Sequence, residues 1–189
     1  MLDKNLAMDV LAAALSAGGG FAEIFMENNE KNSLVMTNGV TEKALWGVEY
    51  GCGIRVFRQC RSGAWQSAYA YTNDTSGDNL LAIAKETAAA AAAGAKSEKT
   101  EPLFLPALNR LKTENVHCIA ISPSSGGKSL AAEKLRQAAE SACAMDPRIT
   151  QTAGSFMGIT QDVLIVNSEG LWAEDRRVRT RLMFSAAAS

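Results

Sequence analysis

The chain opens with a helical pattern and then changes to strand patterns. Over the first 17 residues, apolar positions recur at three- and four-residue steps, which predicts an amphipathic helix with the stripe Leu2, Leu6, Val10, Ala13 and Ala17. The glycines at 18–20 are predicted to end it, because glycine favours a left-handed exit over another helical turn. Two short apolar or β-branched strands, 21–27 and 33–37, are predicted next, with a break at the polar residues 28–32.

The following segment has the pattern of a β-meander. Residues 38–39 are Asn-Gly, the pair preferred in a type I′ turn because both central positions need positive φ. Residues 40–50 are therefore predicted to pair antiparallel with the strand before the turn. Glycines at 51 and 53 precede the apolar residues 54–57 and indicate a bulge or a tight bend. A strand over 64–71 completes a predicted meander of four or five strands.

Two helices are predicted after the meander. The first covers about residues 78–95, with a stripe formed by Leu80, Ala84, Ala88 and Ala91. The second covers about residues 129–145, with a stripe formed by Ala131, Leu135, Ala138, Ala142 and Met145. Between them, prolines and charged residues make 96–115 loop-like, and 116–121 is predicted to be a short strand.

The last third of the chain returns to strand patterns. Strands are predicted over 149–157 and 160–167, and a turn at 168–170 leads to a strand that continues to the last residue. The predicted fold is α+β: a mostly antiparallel β-sheet, made of the meander and the C-terminal strands, packed with two or three α-helices. No internal linker is recognised, so residues 1–189 are predicted to be one domain. The final strand ends without a cap, a turn or a polar tail, which is typical of a chain cut from a longer one.

Composition and charge exclude several classes of protein. A hydrophobic share of 47% and a charged share of 21% are ordinary for a globular domain and exclude a disordered or collagen-like chain. Lysine and arginine (19) nearly balance aspartate and glutamate (20), so the net charge does not indicate nucleic acid, a membrane or an acidic substrate as partner. The chain lacks an apolar run long enough to cross a bilayer and a signal-peptide core at its start, so the predicted location is the cytoplasm.

Candidate metal ligands and nucleophiles are few. The chain has 1 histidine, His117, so one copy cannot build a zinc site with two histidines, and a structural role for His117 is favoured over a catalytic one. No C-x-x-C pair occurs among the 4 cysteines. They are predicted to be small buried hydrophobes, with one reactive thiol as the alternative: Cys52, Cys60, Cys118 and Cys143.

Two glycine-rich segments resemble nucleotide-binding motifs, but their context does not support that function. Residues 126–129, Gly-Gly-Lys-Ser, precede a helix, yet Ser122 stands where a phosphate loop needs its first glycine and Pro123 removes an amide. A helix N-terminus built from small residues explains this segment without a ligand. Gly-x-Gly at 51–53 lies inside a meander and not between a strand and a helix, so the dinucleotide fingerprint also fails.

The most informative charges lie in the final strand. Its alternation places Asp175, Arg177, Arg179 and Arg181 on one face. The opposite face is predicted to belong to the core and carries Val178, Thr180, Leu182 and Phe184. Each guanidinium group can bind a carboxylate or a phosphate through two hydrogen bonds. The row is therefore either a solvated face with local ion pairs or a contact surface for another domain, another subunit or an anionic ligand.

The order of these segments resembles the N-terminal domain of the TldD/PmbA family, historically called modulators of DNA gyrase. The resemblance extends over nearly the whole chain and rests on FAEIFME (21–27), GCGIRVF (51–57), SAYAYTND (67–74), DPRI (146–149), VLIVNSEG (163–170) and EDRRVRTRL (174–182). The arginine-rich strand favours the TldD branch of the family.

The resemblance implies part of a zinc metallopeptidase. The family's catalytic motif, His-Glu-x-x-x-His, lies in a C-terminal domain beyond the arginine strand, where a metal-activated water and a glutamate base would act. His117 does not match a family ligand, so the resemblance implies neither catalytic nor metal-binding residues in this chain. It implies no cofactor in this segment, and zinc in the C-terminal domain of a longer parent protein.

The resemblance also implies partners. Family members form homo- or heterodimers, commonly of a TldD-like and a PmbA-like subunit, around a chamber that admits unfolded peptide. Carried onto this chain, the implied partners are its own C-terminal domain, a homologous subunit and, for the full-length protein, a peptide substrate, but neither nucleic acid nor a membrane. The implied contact residues are Asp175, Arg177, Arg179 and Arg181 in the final strand, and Tyr71, Asn73 and Asp74 in the turn after the meander.

Two main hypotheses of different classes remain open from the sequence, and a third, a nucleotide-dependent enzyme, rests only on Gly127, Lys128 and Ser129. In the first, the chain is the non-catalytic N-terminal domain of a metallopeptidase that processes peptides or small proteins. In the second, it is a free-standing module that binds a protein or an anionic partner through its arginine face.

Overall fold

The computed structural model describes residues 2–60, 62–93, 105–112 and 118–189, with only the backbone described at residue 112. His117 lies outside the described residues, as do 116–117 of the predicted short strand and 94–95 of the predicted helix. The described part of that strand, 118–121, has no regular secondary structure, so the prediction of a strand is wrong there.

Three α-helices and six strands make up the described part of the chain. The helices are α1 (Lys4–Leu15), α2 (Gly77–Ala92) and α3 (Lys128–Met145), and a π-helical turn, Pro123–Gly127, leads into α3. The strands are β1 (Phe21–Thr37), β2 (Val40–Gln59), β3 (Trp65–Thr72), β4 (Asn109–Lys112), β5 (Ile149–Asn167) and β6 (Leu171–Ala188). They form one sheet in the order β3-β2-β1-β5-β6-β4, in which β4 pairs parallel with β6. The predicted α+β fold with a mostly antiparallel sheet is confirmed.

The predicted hairpin turn is confirmed, whereas the predicted strand breaks are wrong. Asn38 and Gly39 connect β1 to β2 with φ values of 50° and 75°, as a type I′ turn requires. β1 continues through the polar residues 28–32, and β5 continues through 158–159. In β1 the buried positions stay even-numbered on both sides of the polar segment, so the alternation never loses its phase. β4 lies inside the predicted loop 96–115 and was missed.

The described residues divide into two compact units that share the four long strands. Unit 1 comprises the described parts of Met1–Glu27, Tyr50–Glu114 and Val163–Asp175. Unit 2 comprises the described parts of Asn28–Glu49, Asn115–Asp162 and Arg176–Ser189. The prediction that residues 1–189 form a single N-terminal domain of the family stays a prediction.

Unit 1 has a core made by α1, α2 and the strands. The Asp3 carboxylate caps α1 by accepting a hydrogen bond of 2.8 Å from the backbone N–H of Asn5. The predicted stripe of α2 is confirmed, because all four of its members are buried, together with Thr87. These helices share one apolar cluster with Ala22 and Ile24 of β1 and with the even positions of β2, Cys52, Ile54 and Val56. The even face of β2 is therefore a core face in this unit.

Unit 2 has a smaller core, in which α3 packs on two strands. Ala131 and Leu135 of α3 cluster with Leu34 and Met36 of β1 and with Phe156 of β5. The predicted stripe of α3 is right at its start but wrong at its end, where Met145 is 85% exposed. The buried positions advance by four residues, from Ala131 through Leu135 to Ala139, and the last turns of the helix bury no further side chain.

Candidate functional site

The arginine row lies on β6, but the opposite face of that strand is not a core face. Arg177, Arg179 and Arg181 are exposed in unit 2, and Asp175 is exposed in unit 1. The prediction that Val178, Thr180, Leu182 and Phe184 form a core face is wrong, because the last three are exposed and Val178 is half-buried. The apolar cluster of unit 2 contains residues of β1, β5 and α3 and none of β6, so α3 does not cover this strand.

A bidentate ion pair on β6 involves an arginine that the sequence did not single out. Arg176 donates from Nε to Asp162 Oδ1 at 2.6 Å and from Nη2 to Asp162 Oδ2 at 2.9 Å. This bidentate contact raises the pKa of Arg176 above its ordinary value and uses the Asp162 carboxylate inside unit 2. A contact role for the row Arg177, Arg179 and Arg181 stays a prediction.

The turn after β3 is an ordered entry into α2. Thr72 Oγ1 accepts hydrogen bonds of 3.0 Å from the backbone N–H of Asp74 and from Asn79 Nδ2. The Asp74 carboxylate accepts a 3.0 Å hydrogen bond from the backbone N–H of Ser76, which is the main reason that the pKa of Asp74 lies below its ordinary value. The turn thus uses the Asp74 carboxylate internally, while Asn73 stays exposed. Interface contact by this turn stays a prediction.

Gly51 and Gly53 of β2 make room for aromatic rings. β2 and β3 pair without a skipped residue from Cys52↔Thr72 to Gln59↔Trp65, so these two strands have no bulge at Gly53. A bulge or bend at Gly51, or on the β1 side of β2, stays a prediction. A Cβ on Gly51 would overlap the hydroxyl end of Tyr71, and one on Gly53 would lie 2.5 Å from the hydroxyl of Tyr69. Tyrosine rings that lie across strand glycines stabilise the pair of strands.

These tyrosines belong to an aromatic face of unit 1 that the sequence analysis missed. Trp65, Tyr69 and Tyr71 alternate along β3 and are each more than half exposed. The Arg55 guanidinium lies 5.5 Å from the centre of the Tyr69 ring, and its Nη1 lies 3.2 Å from Glu23 Oε1. The signal was an alternating aromatic pattern in residues 64–71, which was recognised only as a strand.

The segment before α3 does not form a phosphate loop. The backbone N–H of Gly127 donates to the Ser122 carbonyl oxygen at 3.2 Å, and Gly126 has φ of 103°. Lys128 Nζ donates to the Leu45 carbonyl oxygen at 3.0 Å. An amide and the lysine that a phosphate loop needs are thus used within the chain, which supports the interpretation of this segment as a helix N-terminus.

The described residues do not fit a zinc site. No group of three or more His, Cys, Asp and Glu side chains that could hold a metal ion occurs among them. The cysteine prediction is right for Cys52, which is buried, and wrong for Cys118 and Cys143, which are exposed. We therefore derive no hydrolytic step through a metal bound to this part of the chain.

The exposed and buried thiols should react at very different rates. Burial raises the pKa of Cys52 to about 12, so this thiol is protonated at pH 8. Its burial also makes it inaccessible to reagents. We expect an aromatic disulfide reagent to modify Cys118 and Cys143 rapidly in the native protein and Cys52 only after unfolding in urea. Mass spectrometry of the labelled peptides identifies each site. Rapid native labelling of Cys52 would contradict its burial.

None of the helices in the described residues combines the length and the hydropathy of a bilayer-spanning segment.

Two models of one metallopeptidase family match this chain, one after the other along the sequence. One family model, described as PmbA/TldA metallopeptidase domain 1, matches residues 22–93. A second, described as PmbA/TldA metallopeptidase central domain, matches residues 123–189. Together they cover most of the chain, so it belongs to the PmbA/TldD family, and the resemblance recognised in the sequence is confirmed.

A relative with a TldD name agrees with this family. The chain is 25% identical over 166 residues to the metalloprotease TldD homolog of Haemophilus influenzae, an alignment that covers 87% of this chain and 32% of that protein. The chain thus spans about a third of the length of this relative.

Solved structures show the same fold. A protein of Bacteroides thetaiotaomicron described as a modulator of DNA gyrase superposes with a TM-score of 0.65 at 15% identity, over 98% of this chain and 41% of that one. TldE from Thermococcus kodakarensis superposes with a TM-score of 0.61 at 13% identity, over 97% of this chain and 43% of that one.

Proposed function

We propose that this chain is the non-catalytic N-terminal part of a TldD/PmbA-type metallopeptidase that processes peptides or small proteins in the cytoplasm. The observation that carries the proposal is the order of the family matches. Residues 22–93 match domain 1 and residues 123–189 match the central domain, in a chain that spans 32% of its TldD-like relative. The remaining length of such a protein offers the place for a catalytic domain.

The residue inventory supports a non-catalytic role for this part. The family motif His-Glu-x-x-x-His requires two histidines, and this chain has 1. We therefore place the zinc ion and the hydrolytic chemistry in the C-terminal domain of the parent protein, with no cofactor in this segment. The role of this chain is then to form walls and contacts around a chamber for unfolded peptide.

The proposed partners are the chain's own C-terminal domain and a homologous subunit, in a homo- or heterodimer. The contact residues proposed for them are Arg177, Arg179 and Arg181 on β6, with Asp175, and Tyr71, Asn73 and Asp74 at the end of β3 and in the turn after it. The exposure of the arginine row and of the apolar side chains on the other face of β6 supports this choice.

Metal content and peptide turnover of the purified chain test the proposal. We expect no stoichiometric zinc after incubation with the metal and no hydrolysis of an unstructured peptide by the chain alone. The same chain extended by a segment with the His-Glu-x-x-x-His motif should bind zinc and cleave that peptide. Stoichiometric zinc or peptide turnover in the isolated chain would overturn the non-catalytic role.

The second candidate function is a free-standing interaction module that binds an acidic partner through the arginine face of β6. Its supporting observation is the same exposed row of three arginines. The gene decides between the two: a His-Glu-x-x-x-His motif in the reading frame after the codon for Ser189 supports the peptidase, and a stop codon there supports the module.

A further inference from the structure

The first half of β2 is an exposed sheet edge in unit 2. We call residues 40–49 of β2 the open edge. β3 pairs with β2 only from Cys52 onward, and within the described part of the chain no other strand pairs with the outer side of the open edge. Its apolar side chains are exposed: Leu45 by 50%, Trp46 by 64% and Val48 by 44%. An unpaired edge of this length, with apolar side chains, is a ready template for pairing with another strand.

The exposed tryptophan of the open edge is held in place from within the unit. Trp46 Nε1 donates a hydrogen bond of 2.7 Å to Glu30 Oε1. This bond, with a smaller contribution from Ser124, holds the pKa of Glu30 below its ordinary value, so the carboxylate stays ionised as the acceptor. A fixed aromatic side chain loses little conformational freedom on association, and exposed tryptophans of this kind dominate the energetics of interfaces.

The glycine beside Trp46 has open space around it among the described residues. A Cβ on Gly47 would meet nothing within 4 Å, and its φ lies outside the left-handed region. By contrast, Gly154 and Gly158 in β5 each have a neighbour closer than 3 Å to the position of such a Cβ. Glycine weakens a strand, and it often marks a bulge, a tight bend or the close approach of another group. No described residue makes such an approach at Gly47, so the space beside it is open to another molecule.

We propose that the open edge pairs antiparallel with the same edge of a second copy of this chain, around a two-fold axis at Trp46. Charge complementarity selects this register, because it places Lys43 of each copy opposite Glu49 of the other. It also places Leu45 of each copy opposite Gly47, where the missing side chain leaves room. The other register with opposite charges, Lys43 facing Glu42, would pair only residues 40–45 and leave Trp46 and Gly47 outside.

Two existing contacts take part in this arrangement. Glu49 already forms an exposed ion pair with Lys31, so its carboxylate would lie between two ammonium groups in the pair of strands. Lys128 already donates to the Leu45 carbonyl oxygen, so Lys128 must release or share this acceptor when the backbone N–H of Gly47 in the other copy binds it. The inference rests on the proposed function in one respect, that a subunit of the same family is the partner, and it adds the surface and the register.

Charge exchange tests the register. Sedimentation velocity of the purified chain over a range of concentrations should show a monomer–dimer equilibrium. Lys43→Glu and Glu49→Lys should each raise the dissociation constant of the dimer by about tenfold or more. The reason is that the two-fold axis repeats the pair of residues 43 and 49, so each variant creates two pairs of like charges. A mixture of the two variants should associate again, because each copy then meets the opposite charge at both positions.

The matched control is Glu42→Lys, which makes the same charge change as Glu49→Lys on the same edge. Glu42 lies outside the proposed charge pairs, so this variant should leave the dissociation constant of the dimer unchanged. Gly47→Val should fill the space that Leu45 of the other copy needs and weaken the dimer without lowering the urea midpoint of unfolding. A wild-type chain that stays monomeric, a mixture that fails to associate, or a dimer broken by Glu42→Lys would overturn the proposal. Sedimentation measures the mass of the particle and not catalysis. A failure of the proposed dimer can therefore be distinguished from a failure of the proposed peptidase role.

Discussion

Replacing Leu135 by alanine should lower the free energy of unfolding of unit 2 by about 2–5 kcal/mol. Leu135 is 2% exposed and belongs to the small cluster formed by α3, β1 and β5. The truncation removes buried methyl groups and leaves a cavity that the surrounding strands can fill only in part. Urea unfolding followed by far-UV circular dichroism, at a chain concentration low enough to avoid association, measures the change.

Leu182→Ala is the matched control, since it makes the same chemical change in the same unit. Leu182 is 53% exposed on the face of β6 that the sequence assigned to the core. We expect its replacement to change the unfolding free energy by no more than about 0.5 kcal/mol. A loss at Leu182 as large as that at Leu135 would contradict the exposed position of this face and restore the prediction made from the sequence.

Local signals explain what the sequence predicted well. The stripe of α2, the turn at Asn38 and Gly39 and the start of α3 depend on neighbours within a few residues, and the structure confirms them. The resemblance to the family depended on the order of short segments, and both family models match along that order. Alternation alone placed three arginines on one face of β6.

The errors arose where a residue's role depends on a partner far away in the chain. Residues 28–32 looked like a break because hydropathy counts Asn32 as a loop residue, whereas the structure buries it in phase with Leu34. The role of Gly51 and Gly53 as space for aromatic rings was missed because the tyrosines that lie over them come from the next strand. The face of β6 looked like a core because no pattern within a strand reveals that α3 packs elsewhere.

The candidate site was predictable only in part for the same reason. The arginine row follows from alternation, so the sequence found it. The open edge of β2 does not, because an alternating apolar strand looks the same whether it is central or has no neighbour on one side. Only the register of β3, which begins at Cys52, shows that residues 40–49 have no neighbour on their outer side among the described residues.

Gly158→Ala should lower the free energy of unfolding by about 1–3 kcal/mol. A Cβ at this position of β5 would lie 2.5 Å from the Cβ of Pro123 and 2.9 Å from Cζ of Phe156. Neither neighbour can move aside at low cost, because Pro123 is a buried ring at the entry to α3 and Phe156 belongs to the core of unit 2. The added methyl group must therefore displace the π-helical turn or open the cluster around Leu135.

The matched control for Gly158→Ala is Gly47→Ala, which adds the same methyl group to another strand of unit 2 where nothing lies within 4 Å. Alanine is favoured over glycine in a strand by about 0.5–1 kcal/mol, so this variant should unfold at an equal or higher urea concentration. Both are measured by urea unfolding at the same low chain concentration as the leucine pair. An equal loss of unfolding free energy for Gly47→Ala and Gly158→Ala would show that the fold itself needs glycine at Gly47. The open space at Gly47 would then no longer support pairing with a second copy.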